Sequence, residues 1–263
     1  MPEGDSVFVA VSRLHDALAG RELLKTDFRV PRYATIDLSG NEMEEVTARG
    51  KHILMRVEGG TTIHTHFKME GEWHLYRAGE RWRGPAWQVR VVLETEPWVA
   101  VGFRLGTVDV LPTAREADVV GHLGPDLLGE DWDAARALEN LRRDPARPLG
   151  DALLDQSVMA GLGNVYKSEI CFLTGTDPWT QVGEVRDLAR VVDVAKRTIE
   201  ANRSTGMQIT TGDKRPGRRH WVYGRKGEPC RRCGTPIAKR DEVVGTRERV
   251  TYWCTTCQPR IGG

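Results

Sequence analysis

The chain has no long apolar run and no charged segment followed by a short apolar one near its N-terminus. The first absence argues against a transmembrane helix, and the second argues against a secretory signal peptide. We therefore expect a cytoplasmic protein that makes no membrane contact. Hydrophobic residues make up 40% and charged residues 29% of the 263 positions, which is typical of a globular protein with room for two domains.

Net charge is nearly absent, at +1, but the charges are unevenly distributed. Residues 203–263 contain 14 Lys and Arg against 5 Asp and Glu, a net charge of +9, whereas residues 1–202 carry a net charge of −8. A basic final quarter on an acidic body indicates a polyanionic partner for that quarter. A solvated basic surface explains the charge equally well.

Cysteines are few, and four of the five stand in two close pairs, Cys230 with Cys233 and Cys254 with Cys257. Two thiolates from each of two short turns match the tetrahedral coordination of zinc. Disulfides and free thiols are the alternatives, and a cytoplasmic location disfavours disulfides. We predict one structural zinc ion, because four thiolates leave no coordination position for a reacting water. Cys171 stands alone in an apolar stretch and is predicted to be a core residue.

Apolar periodicity divides the chain into a strand-rich part and a helical part. A first helix is predicted after Pro2 from the apolar residues Val7, Val11, Leu14 and Leu18, with Gly20 able to end it. Short β-type runs follow within residues 23–111, among them 52–57, 89–93 and 98–101. These runs predict a β-sandwich.

The helical part begins near His122. Helices are predicted at residues 132–142, 152–156, 165–173 and 185–201. Residues 203–220 are rich in Gly, Thr and basic residues and are predicted to form a mobile loop. Two β-hairpins around the metal are expected to close the chain.

The N-terminus itself suggests chemistry. Once Met1 is removed, Pro2 carries a free secondary amine, and α-amino groups titrate near a pKa of about 8. An unprotonated amine beside the carboxylate of Glu3 is suited to Schiff-base chemistry on an aldehyde. The same two residues also suit the start of a helix, and on their own they favour that structural role.

Residues 154–169 combine a short helix, a turn with Gly161 and Gly163, and a second helix that begins near Asn164. Free backbone N–H groups and a side-chain amide at a helix N-terminus suit a phosphate. The alternative is an ordinary packing corner in which Asn164 caps the second helix. This segment alone favours the packing corner.

Five motifs follow one another along the whole chain. They are Pro2-Glu3-Gly4, Arg49-Gly50-Lys51-His52, residues 154–169, Tyr223-Gly224-Arg225-Lys226-Gly227-Glu228-Pro229-Cys230 and the cysteine module. Together they resemble the formamidopyrimidine-DNA glycosylase/endonuclease VIII family of base-excision repair enzymes. The resemblance implies an α+β fold with an N-terminal catalytic β-sandwich domain with flanking helices at residues 1–115. A helical domain with a helix–two-turn–helix motif at 116–222 and a four-cysteine zinc finger at 223–263 would follow.

The resemblance also implies a bifunctional DNA glycosylase and AP lyase. Pro2 would attack C1′ of the damaged nucleotide, displace the base and form an iminium, while Glu3 would assist sugar-ring opening and proton transfer. The iminium acidifies the C2′ proton, so the strand can be cut by β-elimination and then δ-elimination. Lys51 would contact the phosphate beside the lesion and assist catalysis. This chemistry requires no redox or nucleotide cofactor.

The DNA-contacting residues are also implied by the resemblance. His66 and Asn164 match phosphate-contacting residues. Arg249, which we group with the catalytic residues, matches the zinc-finger arginine that pins a phosphate, with Arg247 as a nearby alternative. Two further matches come from the endonuclease VIII branch: the loop Lys68-Met69-Glu70, whose Met69 would fill the gap left by the extruded base, and the basic residue His122. Without the family context, Met69 is more simply a core methionine.

The sequence departs from the family pattern at two places that bear on the substrate. Many relatives carry a glutamate where this chain has Ser6. The guanine-oxidation branch has an Arg-Arg-Phe-Gly stretch, whereas this chain has Phe103-Arg104-Leu105-Gly106. The loop before Tyr223 also resembles the shorter one of the endonuclease VIII branch. The Ser6 difference leaves the role of that glutamate unassigned, whereas the absent Arg-Arg-Phe-Gly stretch and the short loop favour oxidised pyrimidines as the substrate.

The expected partner is damaged DNA, as duplex or as bubble or single-stranded DNA, bound by a monomer that associates with the nucleoid. Two other functions stay open on the sequence. One is an 8-oxoguanine/formamidopyrimidine glycosylase, and the other is a non-catalytic zinc-ribbon DNA-binding protein.

Overall fold

The computed structural model describes residues 2–244 and 247–260. The chain divides into two compact units, Met1–His122 and Leu123–Gly263. Met1 and the side chain of Arg247 lie outside the described residues. No helix in the described part is both long and apolar enough to cross a membrane.

The first unit opens with helix α1 (Gly4–Leu18). Its apolar residues Val7, Val11 and Leu14 recur every three or four positions and are buried, which confirms the predicted helix. The chain leaves the helix through Gly20, whose φ of +69° lies in the left-handed region where glycine carries no steric penalty.

Nine strands follow α1 and form two antiparallel sheets. The first sheet has the order β1–β3–β4–β5–β9 and contains β1 (Arg21–Glu22), β3 (Glu42–Arg49), β4 (His52–Val57), β5 (Thr61–His66) and β9 (Thr107–Pro112). The second has the order β2–β7–β8–β6 and contains β2 (Lys25–Phe28), β6 (Glu72–Arg77), β7 (Val89–Glu94) and β8 (Trp98–Phe103). A four-residue helix, α2 (Ala117–Val120), ends the unit.

One hydrophobic core joins the two sheets and α1. Met55 from the first sheet and Leu93 from the second are fully buried in the same cluster as Val7 of α1. Along β7, Val91 and Leu93 point into this core, whereas Val92 belongs to a second cluster on the opposite face. This alternation is typical of a sheet that is covered on both faces. The predicted β-sandwich is therefore confirmed.

The second unit is helical up to its last segment. Its helices are α3 (Ala134–Arg142), α4 (Leu149–Leu154), α5 (Asn164–Thr174) and α6 (Leu188–Glu200). The helix predicted at 152–156 was wrong in position. Pro148 precedes the first turn of α4, and Asp155 has an extended backbone that ends it. The prediction of 185–201 began too early, because Asp187 caps α6 and accepts a hydrogen bond from the Arg190 amide.

The end of the chain contains one regular β-hairpin in the described residues, not two. Strands β10 (Ala238–Val244) and β11 (Arg247–Trp253) pair in antiparallel register. The turn that carries the first cysteine pair has an isolated bridge between Pro229 and Pro236 in place of a ladder, because a proline without an N–H group cannot extend one. The division of the second unit at residue 222 stays a prediction.

Candidate functional site

Pro2 and Glu3 lie just before the first turn of α1. Glu3 occupies the N-cap position, its side chain is fully buried, and its carbonyl accepts the first helical hydrogen bond from Val7 at 3.0 Å. Pro2 is half-buried and precedes the helix, so its nitrogen takes no part in the helical ladder. The predicted helix start is confirmed, with Glu3 as the N-cap residue and Pro2 just outside the first turn.

Lys51 lies at the tip of the two-residue turn between β3 and β4. Arg49 pairs with His52 across this turn, and Gly50 occupies the first central position with a φ of +58°. Glycine at that position is the requirement of a type II′ hairpin turn, which follows the twist of the two strands. The turn therefore presents the half-buried Lys51 at one end of the strands of the first sheet.

A cluster of histidines lies next to Lys51. The rings of His52 and His66, which face each other across β4 and β5, are 4.8 Å apart, and the His122 ring lies 6.1 Å from His52. The pKa of both His52 and His66 is lowered to about 3, chiefly by burial, with smaller contributions from the neighbouring histidines and from the charges of Lys51 and Lys68. Both histidines are therefore neutral near pH 7.

The hydrogen bonds of this histidine cluster determine where its protons are. His66 Nδ1 accepts a hydrogen bond from the Lys68 amide at 2.8 Å, so its proton is on Nε2. His64 Nδ1 lies 3.1 Å from a carboxylate oxygen of Asp109, and His64 Nε2 lies 2.8 Å from His52 Nδ1. The carboxylate can only accept, so His64 donates to Asp109 and accepts from His52. Sequence reasoning missed His52, His64 and Asp109, although the alternation of His64 and His66 on one strand was a usable signal.

Met69 is not a core residue. Its side chain is 66% exposed, at the tip of a loop in which Lys68 adopts a left-handed backbone with a φ of +55°. Arg104 braces this loop by donating to the Glu70 carbonyl at 3.2 Å and to the Glu72 carboxylate at 2.6 Å. The chain therefore holds one large apolar side chain in solvent on a supported loop.

Asn164 begins helix α5, and Gly163 is the N-cap residue. Asn164 is the first helical residue and not the N-cap residue, so the alternative in which it caps the helix was wrong. Its amide oxygen lies 3.2 Å from Lys167 Nζ.

Arg249 lies on β11, five positions before Cys254. Its guanidinium forms an ion pair with the Asp151 carboxylate of α4, and its side chain is 17% exposed. The two residues are far apart in sequence, so the pair was not predicted. Asn164, Arg249 and the zinc-binding cysteines belong to the second unit, whereas Pro2, Glu3, Lys51, His66, Lys68, Met69 and His122 belong to the first.

The four paired cysteines form a site for one metal ion. The sulfur atoms of Cys230, Cys233, Cys254 and Cys257 all lie within 4.8 Å of one another, with Cys230 3.9 Å from Cys257 and Cys233 3.4 Å from Cys254. Zinc bonded to thiolates at about 2.3 Å holds its sulfurs about 3.8 Å apart, so the cysteines fit a structural zinc ion. Cys171 is fully buried, and burial raises the pKa of its thiol to about 12, which confirms it as a core residue.

Glu169 joins α5 to the segment before the zinc-binding turn, and sequence reasoning missed it. Its buried carboxylate accepts hydrogen bonds from the backbone amides of Trp221, Val222 and Tyr223, each at 2.8 Å, and one from the Thr210 hydroxyl. A carboxylate in a largely apolar helix was the available signal, since a buried carboxylate needs partners.

Three family models match the chain. They describe the formamidopyrimidine-DNA glycosylase N-terminal domain at residues 1–109, the formamidopyrimidine-DNA glycosylase H2TH domain at 123–211 and a zinc finger found in FPG and IleRS at 227–260.

Relatives and solved structures agree with these models. A probable endonuclease 8 2 of Streptomyces coelicolor is 57% identical over 270 residues, covering 100% of this chain and 97% of that protein. The DNA-(apurinic or apyrimidinic site) lyase Nei2 of Mycolicibacterium smegmatis is 51% identical, covering 98% of this chain and 99% of that protein. The fold matches Lactococcus lactis formamidopyrimidine-DNA glycosylase with a TM-score of 0.81 at 21% identity, over 98% of this chain and 100% of that one.

Proposed function

This chain belongs to the formamidopyrimidine-DNA glycosylase/endonuclease VIII family, and from that membership we propose that Pro2 and Glu3 carry out its chemistry. The protein is a base-excision repair DNA glycosylase with AP lyase activity. The observation that carries the assignment is the pairing of Pro2 outside the helical ladder with a buried carboxylate at the next position.

Pro2 is the nucleophile of the proposed reaction. Its lone pair attacks C1′, the bond between C1′ and the base breaks, and the base leaves with the electron pair. Opening of the sugar ring breaks the bond between C1′ and O4′ and yields an iminium. The iminium withdraws electrons from C2′, so loss of a C2′ proton expels the 3′ phosphate, and a second elimination expels the 5′ phosphate.

Glu3 supplies and accepts protons in this sequence. Ring opening requires a proton at O4′, and a carboxyl group next to the nucleophile is placed to deliver it. Burial of Glu3 keeps water away from the carboxyl group and holds the side chain in one place. A glutamine at position 3 keeps the shape of the side chain but cannot donate an acidic proton.

Lys51 and the histidine cluster form the proposed phosphate-binding surface of the first unit. Lys51 and Lys68 bring positive charge to one end of the first sheet, and the neutral His66 offers its Nε2–H as a donor. His122, which is exposed beside His52, is a further donor there. Asn164 and Arg249 are the proposed phosphate ligands of the second unit, and the zinc ion holds the hairpin that carries Arg249.

Met69 is the proposed wedge. An exposed apolar side chain can fill the space that an extruded nucleotide leaves in the base stack, and this offsets part of the unstacking cost of a few kcal/mol. Arg104 is bound to Glu70, Glu72 and Gln88, so it is committed to bracing the loop. A single wedge residue favours oxidised pyrimidines over 8-oxoguanine as the substrate.

A lesion panel tests the substrate. Three duplexes are incubated with zinc-replete protein: one carries thymine glycol, one dihydrouracil, and one 8-oxoguanine paired with cytosine. Base release is measured separately from strand cleavage. We expect the two pyrimidines to be excised at least about tenfold faster, a difference of about 1.4 kcal/mol in transition-state free energy. Faster release of 8-oxoguanine assigns the protein to the guanine-oxidation substrates instead.

The protein is proposed to act as a monomer at the nucleoid.

A further inference from the structure

Lys167 is a buried lysine that the proposed chemistry does not use. It lies on α5, one turn after Asn164, and only 2% of its surface is exposed. Its Nζ donates to three acceptors: the Asn164 side-chain oxygen at 3.2 Å, the Thr251 hydroxyl at 2.7 Å and the Val250 carbonyl at 2.9 Å. An ammonium group has three hydrogens, so all of them are used.

This arrangement determines which way the Asn164 amide faces. A lysine ammonium group can only donate, so the atom of Asn164 that faces it must be the carbonyl oxygen. The two hydrogens of the amide nitrogen then face away from Lys167. An asparagine whose donors are fixed in one direction at the start of a helix is prepared to bind an anion, and a freely rotating amide is not.

The other two acceptors lie on the strand that carries Arg249. Val250 and Thr251 are the two residues that follow Arg249 on β11, so Lys167 ties this strand to α5. Asp151 of α4 holds the guanidinium of Arg249 from a second side. One buried cation thus connects both proposed phosphate ligands of the second unit.

We propose that Lys167 is a positioning residue that orients Asn164 and the Arg249 strand for binding DNA phosphates. This inference rests on the proposed roles of Asn164 and Arg249. Burial lowers the pKa of Lys167 to about 8, so the chain accepts an unfavourable environment for this charge. An apolar residue would fill the same space without that cost but could not hold the Asn164 amide in one orientation.

A double-mutant cycle tests the proposal. The Kd for a duplex with a tetrahydrofuran abasic analogue is measured for the wild type, Lys167→Met, Asn164→Ala and the double variant, together with melting temperature and zinc content. We expect Lys167→Met and Asn164→Ala each to weaken binding about tenfold, as for loss of a charge-assisted hydrogen bond. The double variant should lose clearly less affinity than the product of the two single losses, because part of the effect of Lys167 acts through Asn164.

Kinetics separate positioning from a general structural role. At saturating DNA, the single-turnover rate of abasic-site cleavage by Lys167→Met should stay within about twofold of wild type, because binding and not chemistry is affected. Lys196→Met is the matched control, since Lys196 also donates from a helix of this unit to a carbonyl, that of Leu127, at 2.7 Å. It should bind within about twofold of wild type, because it contacts neither phosphate ligand.

Several outcomes overturn the inference. These are wild-type affinity in Lys167→Met, and losses that multiply in the double variant. If Lys167→Met does not fold, Thr251→Val removes one acceptor with little change in shape. The inference is then overturned if Thr251→Val weakens binding by the same factor in the wild type and in Asn164→Ala. Wild-type affinity in Asn164→Ala overturns both this inference and the role of Asn164, whereas the lyase chemistry of Pro2 is measured independently by covalent trapping.

Discussion

Arg249 of β11 and Asp151 of α4 form an ion pair, so the guanidinium that is proposed to bind a phosphate is already bound to a carboxylate. Asp151 therefore has two opposing effects: it orients Arg249 and it neutralises its charge. The Asp151 side chain is partly exposed, so solvent screening makes the ion pair a weak constraint on the orientation of Arg249. We therefore expect the competition with phosphate to be the larger effect.

Removing the Asp151 charge should tighten DNA binding. We expect Asp151→Asn to lower the Kd for abasic duplex about threefold to tenfold at low salt, and to steepen the slope of log K against log salt by about 0.9, the value for one additional phosphate contact. Titrations at several salt concentrations measure both. Asp193→Asn makes the same charge change beside Arg197 on the exposed face of α6 and is the control. Binding by Asp151→Asn that is no tighter than by the control contradicts the competition.

Met69 should matter for base excision and not for cleavage of an existing abasic site. Met69→Ala removes the proposed wedge, so excision from a damaged duplex should slow about tenfold, while cleavage of a preformed abasic site should stay within about twofold. Met207→Ala is the control, because Met207 is 44% exposed in the second unit. Equal slowing of both reactions would show that Met69 is not a wedge.

The buried histidines should make the protein less stable in mild acid. The pKa of His52 and of His66 falls from 6.5 to about 3 on folding, because burial disfavours the charged form. Below pH 6.5 the unfolded chain therefore binds protons that the folded chain does not. As the pH decreases, the free energy of unfolding decreases by up to about 1.4 kcal/mol per pH unit for each histidine. Urea titrations between pH 7 and pH 5 measure this change, in a window where the carboxylates stay ionised.

The variant that replaces both His52 and His66 with Gln is the comparison for these titrations. It should show a much shallower dependence of the free energy of unfolding on pH between 7 and 5. If its profile is parallel to that of the wild type, other groups cause the acid sensitivity.

Loss of zinc should weaken DNA binding without unfolding the first unit. Cys254 is fully buried in a small cluster with Phe172 and Val222, so metal and packing hold the hairpin together. Cys254→Ser should lose zinc and bind abasic duplex about tenfold more weakly, because Arg249 is no longer held on an ordered strand. Metal analysis, binding titration and near-ultraviolet circular dichroism measure the three quantities. Unchanged affinity in a zinc-free variant contradicts this role of the finger.

Periodicity and spacing predicted most of the fold. Val7, Val11 and Leu14 were sufficient for α1, and the regular pairs of cysteines were sufficient for the metal site. The position of α4 was missed because its limits are set by local signals. Pro148 precedes its first turn and Asp155 ends it, whereas the prediction followed the apolar residues of the segment.

The contacts of the candidate site could not be read from the sequence. His52, His64 and Asp109 come together only because the sheet register places their strands side by side. Asp151 meets Arg249, and Lys167 meets Thr251, across long stretches of chain. The residue types of the site were predictable from motifs, whereas the side chains that orient them depend on tertiary packing.

Borohydride trapping on abasic-site DNA tests the role of Pro2 most directly. Zinc-replete protein from which Met1 has been removed should give a covalent complex with an abasic duplex, Pro2→Gly should give a weaker one through its remaining terminal amine, and protein that retains Met1 should give none. Absence of a trapped complex from the Met1-free protein, or equal trapping by the form that retains Met1, would contradict the assignment of Pro2 as the nucleophile.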